Sequence, residues 1–228
     1  MKRSSALVLF DIDGTLIRGA GPHHKDALIE GIRQVTGVET HLNGVPTSGM
    51  LDRDLILNML RASGYAQRRA RAALREIIAS AQLSYVQNCA IDLRSAVCAG
   101  VWELLAELAE RGAAVGLVTG NLSAIGWKKV ELAGLREYFS IGAFAEDGTT
   151  RARLARIAWQ RAKKARLIEA QARVSLIGDH MNDVEAGRAN GFQAIAVASG
   201  LTSAEQLAQS KPDVVVESLR DLDVNTLL

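Results

Sequence analysis

The sequence has few of the features that mark secreted, membrane-bound or nucleic-acid-binding proteins. Only two of its 228 residues are cysteines, too few for a disulfide framework, so we expect a reducing, cytoplasmic setting. Its net charge of +2 is too small to indicate a polyanionic partner. The first apolar run covers only Ala6–Phe10, which is too short for a signal peptide or a membrane span.

Two segments, 68–75 and 151–173, are rich in arginine. Their arginines alternate with alanine, which is typical of a solvated helix face. We therefore expect no nucleic-acid partner and no membrane association. A nucleic-acid-binding or scaffold protein that uses these segments is the alternative from outside the enzymes.

Short apolar runs recur along the chain, and each ends at a polar residue or a glycine. They are Ala6–Phe10, Ala113–Val118, Val174–Ile177, Ala194–Ala198 and Val214–Val216. Runs that are apolar throughout are typical of strands covered on both faces. Helical patterns lie between them, such as the apolar face formed by Val101, Leu104, Leu105 and Leu108. This alternation predicts an α/β fold with a Rossmann-like parallel sheet and helices on both of its faces.

The stretch after the first strand breaks this alternation. Residues 18–89 contain no convincing strand and are predicted to form three helices, at 27–35, 53–63 and 67–86. The simplest interpretation is a helical domain inserted directly after the first strand. It predicts an α/β core made of residues 1–17 and 90–228, and an α-helical cap domain made of residues 18–89.

Two carboxylates, Asp11 and Asp13, follow the first strand directly and precede Gly14. In an open α/β sheet, ligands bind at the carboxyl ends of the strands. Two ionised carboxylates about 4 Å apart repel by about 4 kcal/mol at an effective dielectric constant of about 20. A folded protein keeps such a pair only with a cation, a shared proton or open solvent. A solvated turn is the alternative, because Asp and Gly are common turn residues.

A second acidic pair, Asp179 and Asp183, follows another apolar run. If a helix begins there, both acids lie on one face of its first turn, at the positive end of the helix dipole. Helix capping by Asp179, with Asp183 favoured by the helix dipole, would account for this pair, but not for carboxylate pairs after two separate strands. Four carboxylates that converge on one crevice are typical of an oxygen-ligand site for a hard divalent cation, which indicates Mg²⁺.

Two further segments could hold a phosphate group. Thr119, Gly120 and Asn121 follow the run that ends at Val118, and a hydroxyl with free backbone N–H groups at a strand-to-helix turn can bind phosphate oxygens. A simple turn at Gly120 with Asn121 as a helix cap is the alternative. Arg151 opens a basic run, and an arginine at the start of a helix can reach a phosphate or a carboxylate.

These segments follow the order found in a known family. The chain resembles the haloacid-dehalogenase-like hydrolase superfamily, and within it the phosphoglycolate-phosphatase-like members with a helical cap. Residues 11–16 look like the first motif of that family, 119–121 like the second and 178–183 like the fourth. The resemblance covers nearly the whole chain, and residues 18–89 lie where the family has its mobile cap.

The resemblance implies a Mg²⁺-dependent phosphoric monoester hydrolase that acts on a small phosphorylated metabolite through an aspartyl-phosphate. Asp11 would be the nucleophile and Asp13 the general acid and base. Asp11, the backbone carbonyl of Asp13, Asp179 and Asp183 would bind the metal ion. The residues that would hold the phosphoryl group are Thr119, Gly120, Asn121 and Arg151.

Two features depart from the family. Its third motif supplies a lysine, whereas the matching segment here offers Arg151, with Arg153 as the other candidate. Its fourth motif often has Thr-Pro where this chain has His180 and Met181. A phosphomutase of the same superfamily, which returns the phosphoryl group to the substrate, is the alternative function, and a non-catalytic binding or scaffold relative is another. Either a monomer or a homodimer is expected.

Overall fold

A computed structural model describes residues 3–228 of the chain, and in them six strands form one parallel sheet. The strands are β1 (Ser4–Phe10), β2 (Ala114–Val118), β3 (Ile141–Ala143), β4 (Ile168–Gly178), β5 (Gln193–Val197) and β6 (Val214–Val216). Their spatial order is β3-β2-β1-β4-β5-β6, so β1 lies inside the sheet and pairs with both β2 and β4. The predicted α/β fold with a parallel sheet is confirmed.

The five apolar runs all become strands because both faces of the sheet are covered. Along β1, Leu7 and Leu9 belong to one buried cluster, whereas Val8 and Phe10 belong to another on the opposite face. β3 was not predicted, because it has only three residues, one of them Gly142. β4 begins earlier than predicted, because its first half is largely exposed and is not an apolar run.

The helices connect these strands. They are α1 (His23–Thr36), α2 (Asp52–Ala62), α3 (Gln67–Asn88), α4 (Val101–Glu110), α5 (Ser123–Leu132), α6 (Arg151–Lys164), α7 (Met181–Ala189) and α8 (Ala204–Gln209). No helix of the described residues is both long enough and apolar enough to cross a membrane. The three predicted helices within 18–89 are confirmed as α1, α2 and α3, and the ends of each lie within four residues of the predicted ones.

Residues 18–89 leave and rejoin the rest of the chain at one place. Ile17 and Val97 form an antiparallel bridge. On either side of it, the backbone N–H of Arg18 donates to the carbonyl of Ala96 (2.8 Å), and that of Cys98 donates to the carbonyl of Leu16 (2.9 Å). The two connections therefore run side by side, next to the loop that follows β1. The division into a core and a separate cap domain stays a prediction.

Candidate active site

The ends of three adjacent strands meet beneath one cavity. β1 leads to Asp11, β2 to Thr119 and β4 to Asp179, and β1 is the strand between the other two. Because the strands are parallel, their carboxyl ends lie at the same edge of the sheet. The cavity has a volume of about 450 Å³, and residues of the 18–89 segment, among them His24 and Met50, line its opposite side.

Three carboxylates form a compact buried cluster at this edge. Asp11, Asp179 and Asp183 are 4%, 9% and 1% exposed, and each offers an oxygen within 4.8 Å of the others. Within residues 3–228, neither carboxylate oxygen of Asp183 has a hydrogen-bond partner. Buried polar atoms normally have one, so these oxygens fit the ligands of a hard divalent cation.

The pKa values of this cluster are those of carboxylates that a bound cation would stabilise. Burial, together with the charge of Asp11, raises the pKa of Asp179 to about 7. Burial likewise raises the pKa of Asp183 well above its ordinary value, although the nearby Arg151 acts in the opposite direction. A divalent cation would stabilise the ionised form of all three carboxylates.

The expected group of four converging carboxylates is a group of three in the structure, because the carboxylate of Asp13 lies outside it. The side chain of Asp13 binds Lys129 instead, and 44% of it is exposed toward the cavity. The residue that follows it, Gly14, has a φ of +87°, and a Cβ atom at this position would collide with the carboxylate of Asp179. Glycine is therefore required for the chain to turn between the two acidic loops.

Arg151 is the first residue of α6 and lies inside the acidic cluster. Its Nη1 donates to Oδ1 of Asp11 (2.8 Å), and its Nε lies 3.3 Å from Oδ1 of Asp183. Arg153, the other candidate for the third motif, is exposed, and its backbone N–H donates to the capping hydroxyl of Thr150. The structure thus places Arg151, and not Arg153, beside the predicted nucleophile.

The second predicted motif lies on the other side of Asp11. Thr119 is fully buried, and its hydroxyl accepts hydrogen bonds from the backbone and side-chain N–H groups of Asn121 (3.3 and 2.6 Å). Asn121 does not cap α5, whose N-cap residue is Leu122. Its amide instead donates to Oδ2 of Asp13 (2.7 Å), so this loop connects the predicted phosphate site to the predicted acid.

Lys129 is a site residue that the sequence analysis missed. It lies on α5 and is 1% exposed, with its Nζ 2.7 Å from both carboxylate oxygens of Asp13. Burial raises the pKa of Asp13, but its interactions with Lys129, His24 and Asn121 outweigh it and hold that pKa below its ordinary value. The available signal was a lysine on the same helix face as Ile125 and Val130, both buried.

His180 has a structural role that the sequence did not reveal. Its side chain accepts a hydrogen bond from the backbone N–H of Asn182 and so caps α7, which excludes Asp179 as the capping residue. A Cβ atom at Gly49 would collide with the His180 ring, and the amide of Asn182 donates to the carbonyl of Gly49 (2.9 Å). His180, the first of the two residues that replace the family's Thr-Pro, and Asn182 therefore contact the loop before α2.

The metal-free protein should lose stability as the pH rises from about 4 to about 8. The pKa of Asp179 is about 7 in the folded state against 3.8 for an ordinary aspartate. This contribution to stability is fully present below pH 3.8 and is lost as the pH rises through 7. Thermal unfolding in a chelator should show the loss, and added Mg²⁺ should raise the unfolding temperature more at pH 8 than at pH 5.

Asp179→Asn is the matched control for this pH dependence, because it cannot ionise. Titration of groups outside the cluster affects both proteins, so the difference between them reports on Asp179 and on the neighbouring carboxylate of Asp183, whose pKa Asp179 raises. An identical pH dependence of the two unfolding temperatures would contradict the assignment.

This chain is similar to a known family of enzymes and to several curated proteins. Residues 6–191 match the family of haloacid dehalogenase-like hydrolases. Among curated proteins, a phosphoglycolate phosphatase of Nitrosococcus oceani is 26% identical over 242 aligned positions, covering 100% of this chain and 98% of its own. A phosphoglycolate phosphatase of Synechococcus elongatus is 30% identical over 128 positions, which cover 54% of this chain and 56% of the relative.

Solved structures show the same fold at lower sequence identity. A predicted phosphoglycolate phosphatase from Haemophilus somnus superposes with a TM-score of 0.67 at 18% identity, over 96% of this chain and 97% of the other. A β-phosphoglucomutase from Clostridium difficile also gives a TM-score of 0.67, at 16% identity over 97% and 94% of the two chains. Phosphatases and a phosphomutase thus share this architecture.

Proposed function

The chain belongs to the haloacid dehalogenase-like hydrolases and is a phosphatase, and we propose that it hydrolyses a small phosphate monoester with Mg²⁺ through an aspartyl-phosphate. The observation that carries this proposal is the buried cluster of Asp11, Asp179, Asp183 and Arg151 at the carboxyl ends of the strands. Carboxylates that can bind a metal ion and a guanidinium that can bind a phosphate group both lie next to Asp11 there. The cavity of about 450 Å³ suits a small substrate.

Mg²⁺ fits the donor set that the chain presents. Asp11, Asp179 and Asp183 would hold it, with the backbone carbonyl of Asp13 as a further oxygen ligand. When bound, the cation would neutralise negative charge that develops on the phosphoryl oxygens.

Asp11, Arg151 and Thr119 have different roles in the first half of the reaction. A carboxylate oxygen of Asp11 attacks the phosphorus, and the bond from phosphorus to the ester oxygen breaks. Arg151, whose Nη1 is bonded to Oδ1 of Asp11, holds that carboxylate in one orientation and adds positive charge beside the phosphoryl group. The hydroxyl of Thr119 and the backbone N–H of Gly120 would provide further donors for the phosphoryl oxygens, because the N–H groups of Asn121 and Leu122 already donate to Thr119 and Asp52.

Asp13 moves the proton in both halves of the reaction. In its acid form it protonates the departing alkoxide. As a carboxylate it then takes a proton from the water that attacks the phosphorus, the bond from phosphorus to the Asp11 oxygen breaks, and inorganic phosphate leaves. Its partners Lys129 and Asn121 favour the carboxylate form before substrate binds. The negative charge of a bound phosphate would raise the pKa of Asp13 and so favour the acid form that the first half requires.

We further propose that residues 18–89 are a helical cap that closes this site and supplies specificity. The loop before α2 supports this, since Thr47, Gly49 and Met50 line the cavity and the Gly49 carbonyl accepts a hydrogen bond from Asn182 of the core. A closed site excludes water until the leaving group has departed. Phosphoglycolate is one candidate substrate among small phosphorylated alcohols.

Phosphate release with Mg²⁺ is the direct test. We expect the protein to release inorganic phosphate from an activated aryl phosphate and from at least one small alkyl phosphate. Excess chelator should reduce the rate by on the order of 10²-fold or more, and Ca²⁺ should inhibit because its larger coordination sphere disturbs the in-line geometry. Colorimetric phosphate assays over a panel of esters provide the measurement.

Two outcomes would revise the proposal. Full phosphate release in excess chelator would remove the metal from the mechanism. Conversion of one sugar phosphate isomer into another, with little free phosphate, would favour the phosphomutase alternative.

A further inference from the structure

A continuous row of polar side chains connects the 18–89 segment to Asp13. Oδ2 of Asp52, on α2, lies 2.8 Å from Nε2 of His24, on α1. Nδ1 of His24 lies 3.1 Å from Nζ of Lys129, which in turn contacts both oxygens of Asp13. The row therefore begins in the proposed cap and ends at the proposed acid of the core.

Because Lys129 is buried, its ammonium group depends on the side chains of this row for hydrogen bonds. An ammonium group that is 1% exposed has almost no contact with bulk water, so protein acceptors must receive its protons. Besides Asp13 and His24, Nζ contacts Oδ1 of Asn121 at 2.8 Å. Asn121 also donates to Asp13, and the three core residues form a closed triangle that holds the Asp13 carboxylate from two sides.

The hydrogen-bond pattern assigns the tautomer of His24. Lys129 has no acceptor atom, so Nδ1 of His24 must accept and Nε2 must carry the proton that is donated to Asp52. Asp52 is itself fixed, since its Oδ2 also accepts from the backbone N–H of Leu122, and its own N–H donates to the carbonyl of Gly120 (both 2.8 Å). The row is thus anchored beside Thr119 at both of its ends.

We propose that Lys129 is the positioning residue for Asp13, and that His24 and Asp52 hold Lys129 in place when the proposed cap is docked on the core. This inference rests on the proposed phosphatase function. Asp13 is half exposed in the cavity, and without Lys129 its carboxylate could rotate among several orientations. With both oxygens fixed, its free lone pairs point to one place, where the leaving oxygen and later the water must lie.

A purely structural ion pair is the competing explanation for Lys129, and leaving-group dependence separates the two. Loss of the acid slows esters of ordinary alcohols, whose alkoxides need a proton to depart, but affects an activated aryl phosphate less. General disturbance of the fold or of phosphoryl binding would slow both esters equally. The ratio of the two rates therefore reports on Asp13 alone.

The test compares kcat/KM for p-nitrophenyl phosphate and for a small alkyl phosphate in the wild type and in Lys129→Met. Methionine keeps an unbranched side chain of similar length in the buried position. We expect a loss of about 10²-fold or more on the alkyl phosphate and of less than about tenfold on the aryl phosphate. Asp13→Asn should show the same preference for the aryl ester. Equal losses on both esters, or no loss on either, would overturn the proposal.

Lys128→Met is the matched control, because Lys128 lies next to Lys129 on α5 but pairs with the exposed Glu131. It should match the wild type on both esters. His24 gives a second route if Lys129→Met does not fold: His24→Leu should slow the alkyl phosphate selectively, and His24→Gln, which can still accept from Lys129 and donate to Asp52, should restore the rate. Failure of His24→Gln to exceed His24→Leu would also overturn the proposal.

The same experiment separates this inference from the proposed function. A wild-type protein that cleaves neither ester would refute the phosphatase function itself. An active wild type whose Lys129 and His24 variants show no leaving-group dependence would refute only the positioning role.

Discussion

Asp11→Asn should reduce phosphate release by on the order of 10⁴-fold or more, for aryl and alkyl phosphates alike. The amide of asparagine is a poor nucleophile and cannot form the aspartyl-phosphate on which both esters depend. The loss should therefore not depend on the leaving group, unlike the loss expected for Asp13→Asn. Steady-state kcat values on the two esters provide the measurement.

Trapping experiments and stability measurements make this prediction specific to the nucleophile. Wild-type protein quenched in acid during turnover of a ³²P-labelled ester should carry the label, whereas Asp11→Asn should not. The variant should unfold in a chelator at a temperature no lower than the wild type, because it removes one of three clustered buried carboxylates. Labelled Asp11→Asn, or a variant with near-normal turnover, would show that Asp11 is not the nucleophile.

Arg151→Met should have the second largest effect, and it should affect both activity and stability. Arg151 is the basic side chain in contact with two of the three buried carboxylates. Its removal leaves buried negative charges without compensation, which typically costs about 3–5 kcal/mol. Loss of a charged donor beside the phosphoryl group should reduce kcat/KM by about 10²–10³-fold.

Two further variants control for this result. Arg153→Met, on the exposed side of the same helix turn, should leave the activity and the unfolding temperature nearly unchanged. Arg151→Lys, which restores the residue usual in the family's third motif, should recover part of the activity. Added Mg²⁺ should restore some stability to Arg151→Met, since the cation binds the same carboxylates. Similar losses for Arg151→Met and Arg153→Met would remove the special role of Arg151.

The sheet was predictable because a strand covered on both faces leaves a continuous apolar run. Leu7 to Phe10 contribute alternately to two buried clusters, so no polar residue interrupts them. The acidic site was predictable for a related reason. Asp11 and Asp179 directly follow such runs, and the parallel strands bring the loops that contain them to one edge of the sheet.

Lys129 was not predictable in the same way, because its partners come from distant parts of the chain. Asp13, Asn121 and His24 contact it only once the fold has brought α1, α5 and the loops after β1 and β2 to the same cavity. By sequence alone it differs little from Lys128, which is partly exposed and pairs with Glu131. The choice between Arg151 and Arg153 likewise depended on where α6 begins and which of its faces turns inward.

The paired connections at Ile17 and Val97 make the 18–89 segment modular. The two ends of the segment lie side by side, so the chain leaves and re-enters the core at one place, whatever the length or sequence of the segment. Insertions and exchanges at such a junction are tolerated without displacing the strands on either side. Under the proposed function, exchanges within this segment should change the substrate preference and leave Asp11 in place, provided that they keep the contact between His24 and Lys129.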